Sequence, residues 1–393
     1  MIPAGSGNAK NGITVGVDAT NLRIGGGVTH LVELLTYGDP SKFNISQMVV
    51  WGCIETLDAL PDHPWLKKIS IGSVNKAYLR RVLWQRLCLS RAVKKERCDL
   101  LFVPGGNFIG GFSPMVTMSR NMLPFQWKEL SRYRFSFIWF RLLVLRQVQA
   151  YSFRAADGMI FLTQYARDVV SKVSGNLKGL TAVIPHGLNA RFGIRPKEQQ
   201  SIRAYSEAKP FKLLYVSIID LYKHQWHVVD AVNILRQEGY PVELDLIGPS
   251  YKPAYEKLSA SMRQSVQNGA WVHYHGKVPY THLNEFYAAA DLGIFASSCE
   301  NMPNILLETM TAGLPVACSN LGPMPEVLKD AGLYFDPENP IEIANAIRQY
   351  LDSPGLRTEK SNASFTLAQQ YSWERCADQT LGFLAQVASQ HRR

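Results

Sequence analysis

The stretch Ser298-Cys-Glu-Asn-Met-Pro-Asn-Ile-Leu-Leu-Glu308 constrains this chain most, because it sets two glutamates, with seven residues between them, inside a strand, loop, helix and strand. Asp291-Leu-Gly-Ile-Phe-Ala-Ser297 is a short apolar run ending in small polar residues, which predicts a buried strand running into a loop. Pro303 suits the first helical position, where its missing N–H costs nothing and its φ is already helical. Ile305, Leu306, Leu307, Met310 and Ala312 continue the helix to Gly313, and Leu314-Pro-Val-Ala-Cys318 reads as the next strand.

In such a unit ligands bind at the carboxyl ends of the strands, where free helix N–H groups and the positive dipole end attract anions. A phosphate is therefore expected beside Asn301, Met302, Pro303 and Asn304. Glu300 falls in the loop and Glu308 in the second helical turn, and side chains lean toward a helix N-terminus, so both carboxylates can reach one pocket. A carboxylate about 4 Å from a phosphate is repelled by roughly 4 kcal/mol at an effective dielectric near 20, so hydroxyl groups are the natural partners of this pair. A capping residue and a solvated helix face are the bland alternative.

Glu-x7-Glu between two apolar strands, followed by Gly313-Leu-Pro-Val316, resembles the signature of the retaining glycosyltransferases of family 4, glycosyl transferases group 1, of the bacterial surface-polysaccharide type. The likeness extends to Asn320-Leu-Gly-Pro-Met-Pro-Glu326 and Gly332-Leu-Tyr-Phe-Asp336. It implies an α/β chain of the GT-B architecture, two doubly wound Rossmann-like domains facing across a cleft, with donor in the C-terminal half and acceptor in the N-terminal half. The implied activity moves a sugar from a nucleotide-diphosphate sugar to a hydroxyl of a glycan or lipid-linked glycan, as in O-antigen or lipopolysaccharide biosynthesis. No cofactor or metal is implied, and a sugar-nucleotide epimerase of the same fold is the rival reading.

Strand signals alternate with helical ones in two halves. Ile13 to Val17, Met48 to Trp51, Leu100 to Val103, Met115 to Met118, Gly158 to Leu162 and Ala182 to Pro185 form the first set, and Lys212 to Ser217 and Val242 to Gly248 open the second. The polar, Pro- and Lys-containing stretch from Ala190 to Phe211 separates them. Residues 1–194 are expected to be the acceptor domain and 195–374 the nucleotide-sugar domain. By resemblance, Tyr371-Ser-Trp-Glu374 and the helix over 375–393 return to the first domain.

Gly25-Gly26-Gly27 after the first strand lets backbone N–H groups approach a phosphate without Cβ interference; a dinucleotide fingerprint would need a third small residue where His30 stands. Ser217-Ile-Ile-Asp-Leu-Tyr-Lys223 resembles the family segment whose lysine binds the donor pyrophosphate, which assigns Lys223 to the leaving group and Ser217 to the donor. The family often has Gly-Arg where Ser217-Ile218 stands, so a second cation is missing, with Arg120 and Lys277 as substitutes. Val272-His-Tyr-His-Gly-Lys-Val278 resembles the segment bordering the base, which implicates Gly276 and Lys277; His273 and His275 lack a third partner for a metal. Relatives often present a histidine where Ser119, Arg120 and Asn121 stand, so Asn121 is a candidate to hold a substrate hydroxyl or to shape the turn before Pro124.

The formal charge of +10 on 393 residues is unevenly placed. Between Lys67 and Arg97 there are ten Lys or Arg and one acid, interleaved with Tyr78, Leu79, Leu83, Trp84 and Leu87, and Arg132 to Arg154 repeats the theme around Phe135 to Phe140. Cations among aromatics suit an anionic membrane surface. Nucleic acid is disfavoured as a partner because it leaves the glutamate pair without a role. Six cysteines without C-x-x-C spacing read as buried thiols in a reducing compartment. Met1 to Asn11 lacks a signal core and no apolar run reaches the roughly 18 residues of a membrane span, so a cytoplasmic protein, peripheral on the inner face of the cell membrane, is expected.

Overall fold

The computed structural model describes residues 12–23, 25–72, 78–188, 193–265 and 271–392; the polar N-terminus Met1 to Asn11 and Lys76 lie outside them. Seven strands form a first sheet: β1 (Ile13–Asp18), β2 (Ile45–Gly52), β3 (Leu66–Ser70), β4 (Leu100–Val103), β5 (Met115–Met118), β6 (Gly158–Phe161) and β7 (Leu180–Val183). Its order is β3-β2-β1-β4-β5-β6-β7, parallel throughout. Six more, β8 (Phe211–Val216), β9 (Val242–Ile247), β10 (Val272–Tyr274), β11 (Leu292–Phe295), β12 (Val316–Ser319) and β13 (Leu333–Phe335), form a second parallel sheet in the order β10-β9-β8-β11-β12-β13. The fully buried strands β4, β5, β6, β11 and β12 are the near-continuous apolar runs of the sequence, as expected where helices cover both faces of a parallel sheet.

In each sheet the strand order reverses direction once, between β1 and β4 and between β8 and β11. Loops leaving the carboxyl ends of strands at such a point diverge and open a crevice. The glycine loop follows β1, the Lys223 loop follows β8 and the Glu300 loop follows β11, so the topology aims all three at the space between the domains.

The chain crosses between domains twice. Ile194 N–H already donates to Thr311 O of the second domain at 3.2 Å. The last helix, Trp373–His391, returns to pack on the Gly26–Tyr37 helix, and it is pinned by Arg392 to Asp99 at 2.6 Å and Lys42 to Asp378 at 3.3 Å. Among the described residues no helix is long and apolar enough to cross a membrane.

Candidate active site

Glu300 and Lys223 come together because β8 and β11 are neighbours, with Leu213 opposite Leu292. The two following loops are stitched by Ser298 N–H to Tyr222 O at 2.8 Å and by the His224 ring to Ser298 Oγ at 2.9 Å. His224 takes a left-handed φ of 54° at the cap of the Gln225–Gln237 helix, which turns Lys223 back into the crevice. Lys223 is buried there; its Nζ bonds Glu300 Oε1 and lies 5.2 Å from the centre of the Phe295 ring and 5.1 Å from that of Tyr222.

Pro303 is the N-cap rather than the first helical residue, and the helix runs Asn304–Thr311. Proline has no side-chain acceptor, so the helix starts without a side-chain cap, and its first residues Asn304 and Ile305 line the crevice. Glu308, one turn in, is buried and accepts hydrogen bonds from Tyr280 Oη at 3.0 Å and Tyr287 Oη at 3.4 Å. From the first domain a second helix points its N-terminus at the same space: Gly25 caps Gly26–Tyr37 with φ of 78° and no side-chain bond. Two positive helix ends from two domains thus face one cleft of about 610 Å³.

Gly25, Gly26, Lys223, Glu300, Met302, Pro303, Asn304 and Glu308 line this cleft. The other candidates do not. Gly27 faces backward, since a Cβ there would sit 3.1 Å from Arg120 Nη1 and from Leu22. Ser217 turns its hydroxyl onto Ile218 O at 3.2 Å. Gly276 accepts Gly248 N–H through its carbonyl beside the edge strand β10, and Lys277 is exposed beyond it. Asn301 bridges the domains, donating to Ser119 Oγ at 3.2 Å while its carbonyl accepts from Thr163 Oγ1 at 3.0 Å. The Asn121 carboxamide accepts Leu123 N–H at 3.1 Å, the turn-shaping alternative. His273 bonds Glu243 and His275 bonds Asp245 at 2.6 Å, both across to β9.

Several residues line the cleft that the sequence does not single out as site candidates. Thr29 and Glu33 follow Gly26 at helical spacing on one face of the first helix. His186 stands just past β7 at a strand carboxyl end, where the general rule for parallel sheets would have found it. Trp373 arrives from the crossing segment, stacks on His186 and meets His30 at a tilt, with ring centres 5.8 Å apart in each pair.

The electrostatics behind the glycine loop are unusual. Arg120 is driven down to about 10 by burial, and its Nη1 has no hydrogen-bond partner among the described residues. Its guanidinium lies against Gly26 and Gly27. Burial, then Arg120, holds His186 down to about 3, and burial holds His30 well below its ordinary range, so both rings are neutral near pH 7. Burial raises the Cys299 thiol well above its ordinary value, which keeps it protonated and inert.

Residues 197–365 match the family described as glycosyl transferases group 1. The O-antigen chain mannosyltransferase B of Escherichia coli is 32% identical over 171 residues, 43% of this chain and 44% of that protein. A D-inositol 3-phosphate glycosyltransferase of Acidothermus cellulolyticus is 31% identical over 117 residues, 29% of this chain and 26% of that one. The chain thus spans less than half the length of these curated relatives. Among solved structures, HepE of Anabaena in complex with UDP and glucose superposes with a TM-score of 0.66 at 16% identity, over 94% of this chain and 98% of that one. Sucrose-phosphate synthase of Thermosynechococcus elongatus gives 0.69 at 17%, over 94% and 97%. These likenesses show the GT-B fold, and the match to glycosyl transferases group 1 lies over residues 197–365, within the second domain.

Proposed function

We propose that the chain is a retaining glycosyltransferase that moves a sugar from a nucleotide-diphosphate sugar to a hydroxyl of a glycan or lipid-linked glycan in surface-polysaccharide synthesis. The observation that carries this reading is the convergence of Lys223, Glu300, Glu308 and two uncapped helix N-termini on one interdomain cleft. The mannosyltransferase relative and the UDP- and glucose-bound neighbour are consistent with it.

Each group has a task that its environment permits. The diphosphate lies between the Asn304 and Gly26 helix ends with Lys223 beside it, where fixed positive charge offsets the negative charge that grows on the leaving group. Glu308, already accepting from two phenols, takes the ribose hydroxyls. Glu300 orients the sugar through its hydroxyls, and the acceptor enters along the first-domain wall of Thr29, Glu33 and His186. The acceptor proton passes to a leaving phosphate oxygen, so no protein base, metal or cofactor is required.

Incubation with UDP- and GDP-sugars, with and without a lipid-linked glycan, tests the reading by mass spectrometry and by the anomeric configuration of the product. Acceptor-dependent transfer with retained configuration is expected. Epimerised nucleotide sugar in the absence of acceptor would overturn it.

A further inference from the structure

We propose that one face of the first domain docks onto an anionic lipid bilayer through a stripe of exposed aromatic side chains set among cations. The inference concerns a surface outside the cleft and does not rest on the glycosyltransferase reading.

Two helical segments build this face. The segment over Tyr78–Lys95 and the helix Phe137–Ala155 contain no aspartate or glutamate. Leu89 and Val93 of the first pack with Leu101, Val103 and Met115, and Phe153 of the second packs with Met159 and Phe161. Leu101 pairs with Met115 and Thr117 with Met159, so these side chains share one side of the sheet, and the two segments cover that same side.

The outward side of Phe137–Ala155 carries large apolar side chains where a solvated helix would be polar, with Gln147 the one polar residue between Val144 and Tyr151 on the stripe. Phe137 is 81% exposed, Phe140 57%, Val144 63% and Tyr151 54%, a spacing that keeps all four on one stripe. Phe135 extends the stripe at 77% exposure with φ of 63°, a left-handed conformation that is strained for a bulky residue and that no burial of its ring repays. Arg134 lies 5.0 Å from the Phe135 ring centre and Arg141 is exposed within the stripe. On the neighbouring segment Leu83 is 55% and Leu87 59% exposed, with Arg80, Arg86, Arg91 and Lys94 exposed around them.

Charge decides the occupant. A second copy of this face would set cation against cation, since neither segment offers an acid to pair with. A nucleic acid would use the cations and leave the aliphatic and aromatic stripe in water. An anionic bilayer takes both, rings at the headgroup boundary and cations over the phosphates. Trp127, 60% exposed, heads a short helix packed on Phe137–Ala155 and borders a crevice of about 430 Å³ shared with Leu321 and Gly322 of the second domain. A docked chain therefore holds this interdomain crevice next to the lipid.

The test is sedimentation of the full chain with vesicles of phosphatidylcholine alone or mixed with phosphatidylglycerol, at low and high salt. Binding to the mixed vesicles, weakened by salt, is expected. Phe137→Ser with Phe140→Ser is expected to lower the bound fraction about tenfold, and Arg134→Gln with Arg141→Gln to lower it and flatten its salt dependence. All four side chains are on the surface, so unchanged thermal unfolding shows that the fold is kept. The thermal shift produced by UDP or GDP is expected to be the same in the variants, which separates docking from donor binding. Absence of binding to the mixed vesicles at low salt overturns the proposal. So does retention of full binding by the phenylalanine variant, the mark of a purely electrostatic polyanion site, or self-association in light scattering that this variant abolishes.

Discussion

Lys223 and Glu300 contact each other directly across the switch point of the second sheet, so the cation proposed for the diphosphate and the carboxylate proposed for the sugar are each other's ion-pair partners. Their side chains are only 7% and 16% exposed, so breaking the contact is costly unless a ligand supplies a compensating charge. A nucleoside diphosphate competes with Glu300 for the ammonium. Lys223→Ala is expected to cut turnover by about 10²- to 10³-fold and weaken UDP or GDP binding. Glu300→Gln is expected to cut turnover comparably while nucleoside diphosphate binding holds or tightens, because a nearby negative charge is removed. Steady-state kinetics with calorimetric titration of both variants checks this; parallel loss of nucleotide affinity in the two would refute the separate roles.

Arg120 is the better substitute for the arginine absent at position 218. Lys277 is exposed beyond the edge strand, whereas the Arg120 guanidinium lies directly behind Gly26 and Gly27 with one nitrogen unpartnered. If donor phosphate rests on the glycine loop as proposed, the Arg120 charge lies close behind it. Arg120→Met is expected to raise the KM for donor about tenfold, and Arg120→Lys to recover part of it with a smaller change in kcat. Equal KM values for wild type and the methionine variant would remove Arg120 from donor binding.

The second domain is legible in the sequence because its buried strands are apolar runs and its ligand loops carry spaced charges, as at Asp291 to Glu308. The first domain is less so. β3 is hidden because Lys67 and Lys68 interrupt its apolar pattern, which an exposed edge strand tolerates. Its neighbours Tyr78 to Lys95 show their cations more plainly than their helix, whose middle turn at Gln85–Leu89 is a π-helix. Analogy along the chain points to Ser217, Gly276 and Lys277, but whether a residue reaches a cleft depends on the turn it occupies: the Ser217 hydroxyl donates to Ile218 O and the Gly276 carbonyl accepts Gly248 N–H. His186 is hidden for a related reason, and Trp373 shows in the sequence only as part of the returning segment Tyr371 to Glu374, since their contact arises only when the domains meet.

Glu326 joins the domains by capping a helix of one from the other. Its two carboxylate oxygens accept Gln164 N–H at 2.8 Å and Tyr165 N–H at 2.9 Å, the first turn of the Gln164–Ser174 helix. A carboxylate at a helix N-terminus contributes about 1 kcal/mol, and this contribution exists only in the closed arrangement. Glu326→Ala is expected to lower the cooperativity of unfolding and to enlarge the radius of gyration in solution scattering. An unchanged scattering profile together with one unaltered unfolding transition would rule out a latch.

Stability is expected to fall as the solution is acidified below pH 6.5, because of histidines that the fold keeps neutral. Burial, then nearby cations, holds His186 and His224 each down to about 3, with Arg120 acting on the first and Arg132 on the second. An unfolded imidazole titrates near 6.5, so between that value and 3 the unfolded chain binds protons that the folded chain refuses. The favourable contribution is therefore complete above about pH 6.5 and shrinks as pH drops, by up to about 1.4 kcal/mol per pH unit for each histidine. Glu338 acts in a different window: burial raises it, but hydrogen bonds and charge from Lys128 and Arg132 outweigh that and hold it down to about 2, so it loses its contribution only below the ordinary carboxylate range. The interval from pH 6.5 to 5 lies above that window, and comparison of a histidine variant with the wild type cancels the carboxylates that burial raises, Asp18 and Asp220. His186→Gln removes one of them, and its denaturation free energy is expected to fall less steeply with acid over that interval than that of the wild type. Identical slopes would mean that His186 is not held neutral between the domains.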